Sequence, residues 1–217
     1  MSKHRPIKKV VFPVGGMGTR FLPATKAVPK EMFPVVDRPL IHYAFEEAKE
    51  AGIEQFIFIT ARGKHAIEDH FDHAAELENN LAKKNKIKEI DTTSGWLPKP
   101  GNCAFIRQQE PQGLGHAVWC ARHLIGDEPF AVILPDDMVH ARKGCLKQMV
   151  EFYNEHGGNV LGVIDVPREK TSSYGIVDVE PGTAADAKFV KAKGLVEKPA
   201  PEKAPSTLSV IGRYILQ

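Results

Sequence analysis

The residues best able to do chemistry stand near the start of the chain, in the stretch VVFPVGGMGTRFLPATKAVPKEM. It contains three glycines and three cations, namely Gly15, Gly16, Gly18, Arg20, Lys26 and Lys30. Glycines let backbone N–H groups approach an anion closely, because no Cβ blocks the turn. Several separate cations suit a triphosphate, whose negative charge is spread over several groups. The stretch therefore predicts a phosphate site, although a tight turn without a ligand would also explain the glycines alone.

Two familiar phosphate-binding motifs do not fit this stretch. A P-loop requires a lysine directly after its last glycine, and no lysine follows Gly18. A dinucleotide-binding fingerprint requires a third glycine at the position that Phe21 occupies. Pro23 and Pro29 also prevent one continuous helix through the stretch. We therefore predict a long, extended, cationic loop, and an oxidoreductase of the Rossmann type is disfavoured.

The elements that must position this loop alternate between apolar runs and segments of helical periodicity. Strands are predicted at KVVFPV, EQFIFIT, NCAFIRQ, FAVILPDD and NVLGVIDV, with helical segments between them. This order predicts an α/β fold with a Rossmann-like, mainly parallel sheet covered by helices on both faces. In such sheets ligands bind outside the carboxyl ends of the strands, which is where the glycine loop follows the first strand.

One helical region, at 64–86, is expected to bury an apolar face made of Ile67, Phe71, Ala74 and Leu81. His70 and His73 have a His-x-x-His spacing, but they stand on a polar segment without a third ligand. Both histidines are therefore predicted to be surface residues. The segment TTSGWLPKPGN, punctuated by proline and glycine, is predicted to be an exposed connection.

The pattern changes from about Thr171 onward, where strands follow one another without helices. This change predicts a small antiparallel β subregion joined to the main sheet. We expect a single domain over 1–217, divided into parts at about 1–165 and about 166–217. His116, in GLGHAV, is predicted to have a structural or supporting role.

Composition limits the possible classes of partner. The chain has 217 residues and a formal net charge of +2, so bulk electrostatics favours neither nucleic acid nor an anionic membrane. Its three cysteines, Cys103, Cys120 and Cys145, are far apart, and we expect buried, reduced thiols. No apolar run approaches the length of a membrane span, and a cytoplasmic protein is expected.

Several motifs together resemble those of the sugar-1-phosphate nucleotidylyltransferases, and most of all the uridylyl-transferring members. They are the glycine stretch with TKAVPKEM, then AIEDHFD, QGLGHAV, GDEPFAVILPDD, SYGIVDV, VEKPAPEKAPS and VIGRYIL, in this order along essentially the whole chain. The resemblance implies the nucleotide-diphospho-sugar transferase type of fold. It also implies uridylyl transfer from UTP to glucose 1-phosphate, giving UDP-glucose and pyrophosphate, and assembly into a homo-oligomer.

The resemblance also implies roles for particular residues. In the part at 1–165, the glycine loop covers the nucleotide, Arg20 and Lys30 neutralise the triphosphate, Gln108 and Gly113 meet the base, and Asp136 holds Mg²⁺. An amide presents both a donor and an acceptor, which suits uracil. The neighbouring Asp137 is expected to be a turn former or surface residue. In the part at 166–217, Gly175 belongs to the sugar-phosphate side, where Glu197 meets the glucose hydroxyls and Lys198 meets the phosphate.

Alternatives stay open from the sequence. A thymidylyl- or cytidylyltransferase would have the same fold, and one glutamine does not decide between bases. The resemblance also implies that family members continue beyond GRYIL with a second metal carboxylate. A further alternative is therefore a protein that binds nucleotide sugars but has weak catalytic activity.

Overall fold

The computed structural model describes residues 4–182 and 188–217. Within these ranges the strands are Lys9–Pro13 (β1), Pro34–Val35 (β2), Arg38–Pro39 (β3), Gln55–Thr60 (β4), Cys103–Arg107 (β5), Phe130–Ile133 (β6), Val160–Asp165 (β7), Gly175–Val179 (β8), Ala192–Glu197 (β9) and Leu208–Leu216 (β10). The α-helices are Leu40–Glu50 (α1), His65–His70 (α2), Ala75–Lys83 (α3), Ile87–Ser94 (α4), Leu114–Cys120 (α5), Arg122–Ile125 (α6) and Cys145–His156 (α7).

Eight of the described strands form one mixed sheet in the order β5-β4-β1-β6-β10-β8-β9, with β7 paired to β10. The strands β5, β4, β1 and β6 are parallel. From β10 onward every pairing is antiparallel. The mixed α/β sheet flanked by helices is therefore confirmed, with a parallel half at β5, β4, β1 and β6 and an antiparallel half beyond it. Strands β2 and β3 form a separate two-stranded antiparallel ribbon.

Side chains of the central strands alternate between two apolar layers. In β1, Val10 and Phe12 face one layer and Val11 faces the other. The first layer receives the apolar sides of α1 and α7, through residues such as Phe45 and Leu146. The second receives α5 and α6. Because both faces are covered, these strands are continuous apolar runs, as expected for a doubly covered parallel sheet.

The region at 64–86 is not one helix, and the sequence prediction is wrong there. The chain forms α2 and α3 with a break between them, and Ala74 is exposed while Ile67 and Phe71 are buried. Polar side chains take over backbone donors at the break: Asp72 accepts from the His73 N–H, and Glu78 accepts from the Ala74 N–H. Such local hydrogen bonds compete with a continuous helix.

The connection TTSGWLPKPGN is also shorter than predicted. Its first three residues, 92–94, complete α4. Trp96 is partly buried against the first apolar layer, and its ring N–H donates to the Thr92 carbonyl. None of the helices in the described ranges is long and apolar enough to cross a membrane. The three cysteines are free, and each is only partly buried.

A buried arginine fixes the strand end that carries the acidic turn. The Arg213 side chain is 1% exposed and donates to both oxygens of Glu47, with Nη2 2.8 Å from Oε2. Arg213 Nη1 also donates to the Leu134 carbonyl at 3.1 Å, and Glu47 accepts from the Leu146 N–H. Because a buried charge is tolerated only when it is paired, this network holds α1, α7, β10 and the end of β6 in one arrangement.

Candidate active site

The glycine loop lies at the carboxyl end of β1, between the parallel neighbours β4 and β6. Gly18 has φ +65°, and a Cβ there would lie 3.0 Å from Thr25 Cγ2 and 3.3 Å from Lys30 Cβ. The Thr25 hydroxyl donates to the Gly18 carbonyl at 2.9 Å. A left-handed backbone conformation favours glycine. The absence of a side chain at Gly18 also lets the loop pack closely against Thr25 and Lys30.

After the glycines, the chain makes three short 3-10 turns instead of a helix. They are Thr19–Phe21, Ala24–Lys26 and Lys30–Met32. The prediction of a long loop without a continuous helix is confirmed. The last turn brings Lys30 back beneath the loop, with its Cε 3.9 Å from a Cβ built on Gly16.

Lys30 connects the loop to the end of β6. Its Nζ donates to Asp136 Oδ2 at 2.6 Å, across 106 residues of sequence. Burial acts to raise the pKa of Asp136, but the hydrogen bond and charge of Lys30, helped by Arg20, hold that pKa below its ordinary value. Asp136 is therefore an anion at neutral pH, paired with a lysine that stands beside the glycines.

Asp137 forms the turn that the sequence predicted, and it also adds to this charge group. Burial and the negative charge of Asp136 raise the pKa of Asp137. Its Oδ2 lies 2.7 Å from the position of a Cβ on Gly212, whose φ is +66°. Glycine in β10 therefore leaves room for this carboxylate beside Asp136.

The acidic pair meets the requirements of a hard divalent cation. No group of three metal-ligating side chains occurs in 4–182 and 188–217. Magnesium, however, keeps several waters and takes one or two carboxylates together with substrate phosphate oxygens. Asp136 and Asp137, adjacent at a strand end beside a phosphate-type loop, match that donor set.

A buried ion pair next to Lys30 was not found from the sequence. Glu31 is 1% exposed, Lys64 is 6% exposed, and Lys64 Nζ donates to Glu31 Oε2 at 2.8 Å. The second oxygen, Glu31 Oε1, lies 3.9 Å from Lys30 Nζ. Glu31 thus connects the start of α2 to the turn that carries Lys30. No spacing rule pairs residues 31 and 64, although a charged residue in each of two strand-end loops was a weak signal.

Gln108 and Gly113 lie together on the other side of the loop. Gln108 follows β5, and its N–H donates to the Thr60 carbonyl at 2.8 Å. Its side-chain nitrogen donates to the Gly113 carbonyl at 3.2 Å and lies 3.0 Å from Nδ1 of His116. Gly113 has φ +95° and ψ −178°, a conformation that essentially only glycine adopts. A Cβ on Gly15 would lie 3.4 Å from Gln108 Oε1, which places this group against the glycine loop.

Gly175, Glu197 and Lys198 meet at the β8–β9 hairpin. Gly175 pairs with Glu197 in register, and the Lys198 N–H donates to the Tyr174 carbonyl at 3.0 Å. Lys198 has φ +47°, which is unusual for a residue with a side chain. The Glu197 and Lys198 side chains are 73% and 60% exposed, and Lys198 Nζ lies 3.4 Å from Glu197 Oε1.

The charges of one carboxylate from the acidic turn and one from the hairpin both act on Tyr214 in β10. Burial raises the pKa of Tyr214, and the charges of Asp137 and then Glu197 raise it further. Strand register places the hairpin and the acidic turn near each other, because Ile176 of β8 pairs with Ser209 and the Leu134 N–H donates to the Gly212 carbonyl, both in β10.

Two cations of the loop are not held by this group. Arg20 and Lys26 are exposed, and no hydrogen bond or ion pair within the described ranges joins either to Lys30 or Asp136. Arg20 nevertheless acts on both carboxyls through its charge, which helps to lower the pKa of Asp136 and opposes the rise in the pKa of Asp137.

The expectation that His70 is a surface residue is wrong. His70 packs on Trp96 with ring centroids 4.9 Å apart, and its Nε2 lies 3.2 Å from Nδ1 of the buried His42. Burial and the charge of His42 lower the pKa of His70 to about 4. His73 is exposed, as predicted, and its ring lies near Glu78. The helical pattern did not reveal the cluster, because its members come from α1, α2 and the segment after α4.

The fold and this edge of the sheet together define a nucleotidyltransferase. Residues 9–217 match the family model described as "Nucleotidyl transferase", and the chain belongs to that family.

More particular relatives are uridylyltransferases. The chain is 54% identical over 212 residues to the UTP–glucose-1-phosphate uridylyltransferase of Komagataeibacter xylinus, covering 98% of this chain and 74% of the relative. It superposes with a TM-score of 0.90 and 45% identity on "UTP-bound UGPase" of Acinetobacter baumannii, covering 97% of this chain and 74% of that one. A UDP-glucose pyrophosphorylase complexed with UDP-glucose gives a TM-score of 0.79 at 44% identity, covering 97% and 76%.

Proposed function

We propose that this chain transfers a uridylyl group from UTP to glucose 1-phosphate and releases UDP-glucose and pyrophosphate. The main observation behind this proposal is the hydrogen bond from Lys30 Nζ to Asp136 Oδ2, 2.6 Å long. It joins the glycine loop to a strand end that also bears Asp137. Such a place can hold polyphosphate and cation together. The proposal is supported by relatives named as uridylyltransferases and by a related structure described as UTP-bound.

We assign the nucleotide to the glycine loop. Backbone N–H groups of Gly15, Gly16 and Gly18 cover its phosphates, and Arg20, Lys26 and Lys30 supply positive charge. Gln108 and Gly113 meet the base from the opposite side of the loop. The close approach of Gln108 Oε1 to Gly15 supports this division, since base and phosphates of one nucleotide must reach neighbouring sites.

We assign the metal to Asp136, with Asp137 beside it, and name Mg²⁺ as the ion. Bound there, Mg²⁺ would neutralise charge on the reacting phosphates. Asp136 is suited to the role because Lys30 keeps it ionised.

The acceptor is assigned to the β8–β9 hairpin. Gly175 and Glu197 face the sugar, and Lys198 meets its phosphate. A phosphate oxygen of glucose 1-phosphate attacks the α-phosphorus of UTP, and the bond to the pyrophosphate oxygen breaks with its electron pair. The nucleophile is already anionic, so no general base is required. The protein contributes position and charge through Arg20, Lys30 and Lys198.

Two broader expectations stand as proposals. We divide the single domain into a nucleotide part at about 1–165 and a sugar-phosphate part at about 166–217. We also propose a homo-oligomer as the assembled form.

The test is a turnover assay of the purified chain with Mg²⁺ and glucose 1-phosphate. UTP, dTTP and CTP are supplied separately, and pyrophosphate release is measured beside formation of the nucleotide sugar. We expect UTP to give the highest kcat/KM. A higher kcat/KM with dTTP or CTP would contradict the uridylyl assignment, and UTP binding without turnover would favour a nucleotide-binding protein.

A further inference from the structure

We infer that His116 sets the nucleotide selectivity of the site by fixing the side-chain amide of Gln108, so that only its oxygen faces the base. The inference rests on the proposed function, which places the base at Gln108. His116 is a positioning residue in this scheme, because it acts through Gln108 and does not touch the nucleotide.

The orientation of the amide follows from the chemistry of its neighbours. A backbone carbonyl can only accept a hydrogen bond, so the Gln108 atom 3.2 Å from the Gly113 oxygen must be the amide nitrogen. The same nitrogen lies 3.0 Å from Nδ1 of His116. For this second contact to be a hydrogen bond, Nδ1 must accept, and the proton of the neutral ring then stands on Nε2. Both N–H bonds of the amide are thereby used.

The amide oxygen is left facing the nucleotide loop. Gln108 Oε1 lies 3.4 Å from the position that a Cβ would occupy on Gly15. The backbone of Gln108 is held at the same time, since its N–H donates to the Thr60 carbonyl. The residue therefore offers an acceptor to the base, whereas the sequence interpretation expected both a donor and an acceptor.

The histidine ring is itself held by its neighbours. His116 stacks on Trp119 with ring centroids 5.7 Å apart and an interplanar angle of 24°, and Arg122 lies over the Trp119 ring at 3.5 Å. These residues belong to α5 and α6, which pack against the sheet. The acceptor at Nδ1 is thus fixed before a nucleotide arrives.

A fixed acceptor discriminates among pyrimidines. Uracil and thymine carry a hydrogen on N3 and can donate to Gln108 Oε1, whereas N3 of cytosine is an acceptor and meets the oxygen with a lone pair. Reading cytosine at N3 requires the amide to turn and present its nitrogen. Loss of the His116 acceptor removes one of the two contacts that oppose this turn, and an unmade hydrogen bond of this kind changes an equilibrium by about tenfold.

The experiment compares two replacements of the same ring. His116→Phe keeps an aromatic ring against Trp119 but has no acceptor, and His116→Gln supplies an acceptor without the ring. We expect His116→Phe to reduce the UTP/CTP ratio of kcat/KM about tenfold, with KM for glucose 1-phosphate unchanged, and His116→Gln to restore most of the ratio. His123→Ala, exposed on α6, is the control and should keep the ratio of the unchanged chain.

Binding measurements separate this inference from the proposed function. Calorimetric titration with UTP and CTP reports selectivity even if turnover is absent, and circular dichroism reports whether each variant is folded. A folded His116→Phe variant with an unchanged UTP/CTP ratio would overturn the inference, as would an equal loss for both nucleotides in both variants. A narrowed binding ratio without any uridylyl transfer would support the role of His116 while contradicting the proposed function. An unchanged chain that binds neither nucleotide would overturn both.

Discussion

The nucleotide side and the sugar side of the proposed site differ in how firmly their polar groups are held. On the nucleotide side, Lys30 is tied to Asp136. Glu31 is tied to Lys64, and Gln108 lies against His116. On the sugar side, Lys198 Nζ lies 3.4 Å from Glu197 Oε1, and most of each side chain is exposed.

This difference indicates that the nucleotide side is preorganised for binding and that the sugar side is less so. Groups held in place before binding lose little conformational entropy when a ligand arrives, which favours affinity and selectivity. The backbone of this segment is fixed, because Glu197 pairs with Gly175 in the sheet and the Lys198 N–H donates to the Tyr174 carbonyl. The side chains of Glu197 and Lys198 are mostly exposed and can change conformation when a ligand binds. We expect nucleotide recognition to depend on preformed geometry and sugar-phosphate recognition to depend on charge.

The largest effect is expected at Asp136, where the two sides meet. Asp136→Asn removes the carboxylate that pairs with Lys30 and that we assign to Mg²⁺, so Mg²⁺-dependent turnover should fall by ~10³-fold. The measurement is steady-state turnover as a function of Mg²⁺ concentration, beside thermal unfolding. Asp69→Asn, exposed on α2, is the matched control. Turnover within a few fold of the unchanged chain would contradict the assignment.

On the sugar side, Lys198→Ala should lower kcat/KM for glucose 1-phosphate by ~10²–10³-fold, because it removes a charged donor for the sugar phosphate. UTP affinity, measured by calorimetry, should hardly change. Lys198→Arg should recover part of the activity if charge is what matters there.

Arg20→Ala is the corresponding variant on the nucleotide side, to be compared with Lys198→Ala on the sugar side. It should reduce turnover by ~10²-fold and leave UDP-glucose affinity intact, since UDP-glucose lacks the departing β- and γ-phosphates of UTP, whose charge Arg20 would neutralise. Equal damage to both substrates from either variant would break the comparison between the two sides.

The preformed character of the nucleotide side can be tested at the Glu31–Lys64 pair. Lys64→Met leaves the buried Glu31 without its hydrogen-bonded partner and should lower the free energy of unfolding by ~3 kcal/mol. The double variant Lys64→Met with Glu31→Gln should recover much of that loss, because the buried charge is gone. Urea unfolding at neutral pH gives both values. A small effect of Lys64→Met alone would show that the Glu31–Lys64 pair does not stabilise the nucleotide side.

The smallest effect is expected from acid at the His42–His70 cluster, which packs α1 against α2 on the nucleotide side. The pKa of His70 is lowered from 6.5 to about 4 by burial and by His42, so the unfolded chain binds a proton at higher pH than the folded chain does. The stabilisation is complete above pH 6.5 and is lost as pH falls toward 4. Over this window the free energy of unfolding should drop by ~2 kcal/mol.

His70→Phe should flatten that part of the pH profile, whereas His73→Gln, on the exposed neighbour, should not. The measurement is urea unfolding at several pH values between 4 and 7. His42 contributes in the same direction, because burial lowers its pKa although the charge of Glu46 opposes this. An unchanged slope in His70→Phe would show that the proton is taken up elsewhere.

Much of the site could be located from the sequence because backbone rules place it. Parallel strands end at one edge of the sheet, so the loop after β1 and the turn after β6 had to be neighbours. The prolines at 23 and 29 excluded a helix, and the structure has three short turns there. The one-helix prediction at 64–86 was wrong because Asp72 and Glu78 satisfy the backbone locally, which apolar periodicity does not register.

The sequence by itself determined the α/β architecture, the family and the identity of the charged residues at the strand ends, because periodicity and motif order are properties of the chain. Only the tertiary structure decided which of those residues meet. Lys64 donates a hydrogen bond to Glu31, 33 residues away in sequence, and the His70 ring contacts the His42 ring, 28 residues away. Gln108 has its amide turned by a carbonyl and a histidine. Such pairings depend on side-chain packing between separate elements, and no periodicity within one element encodes them.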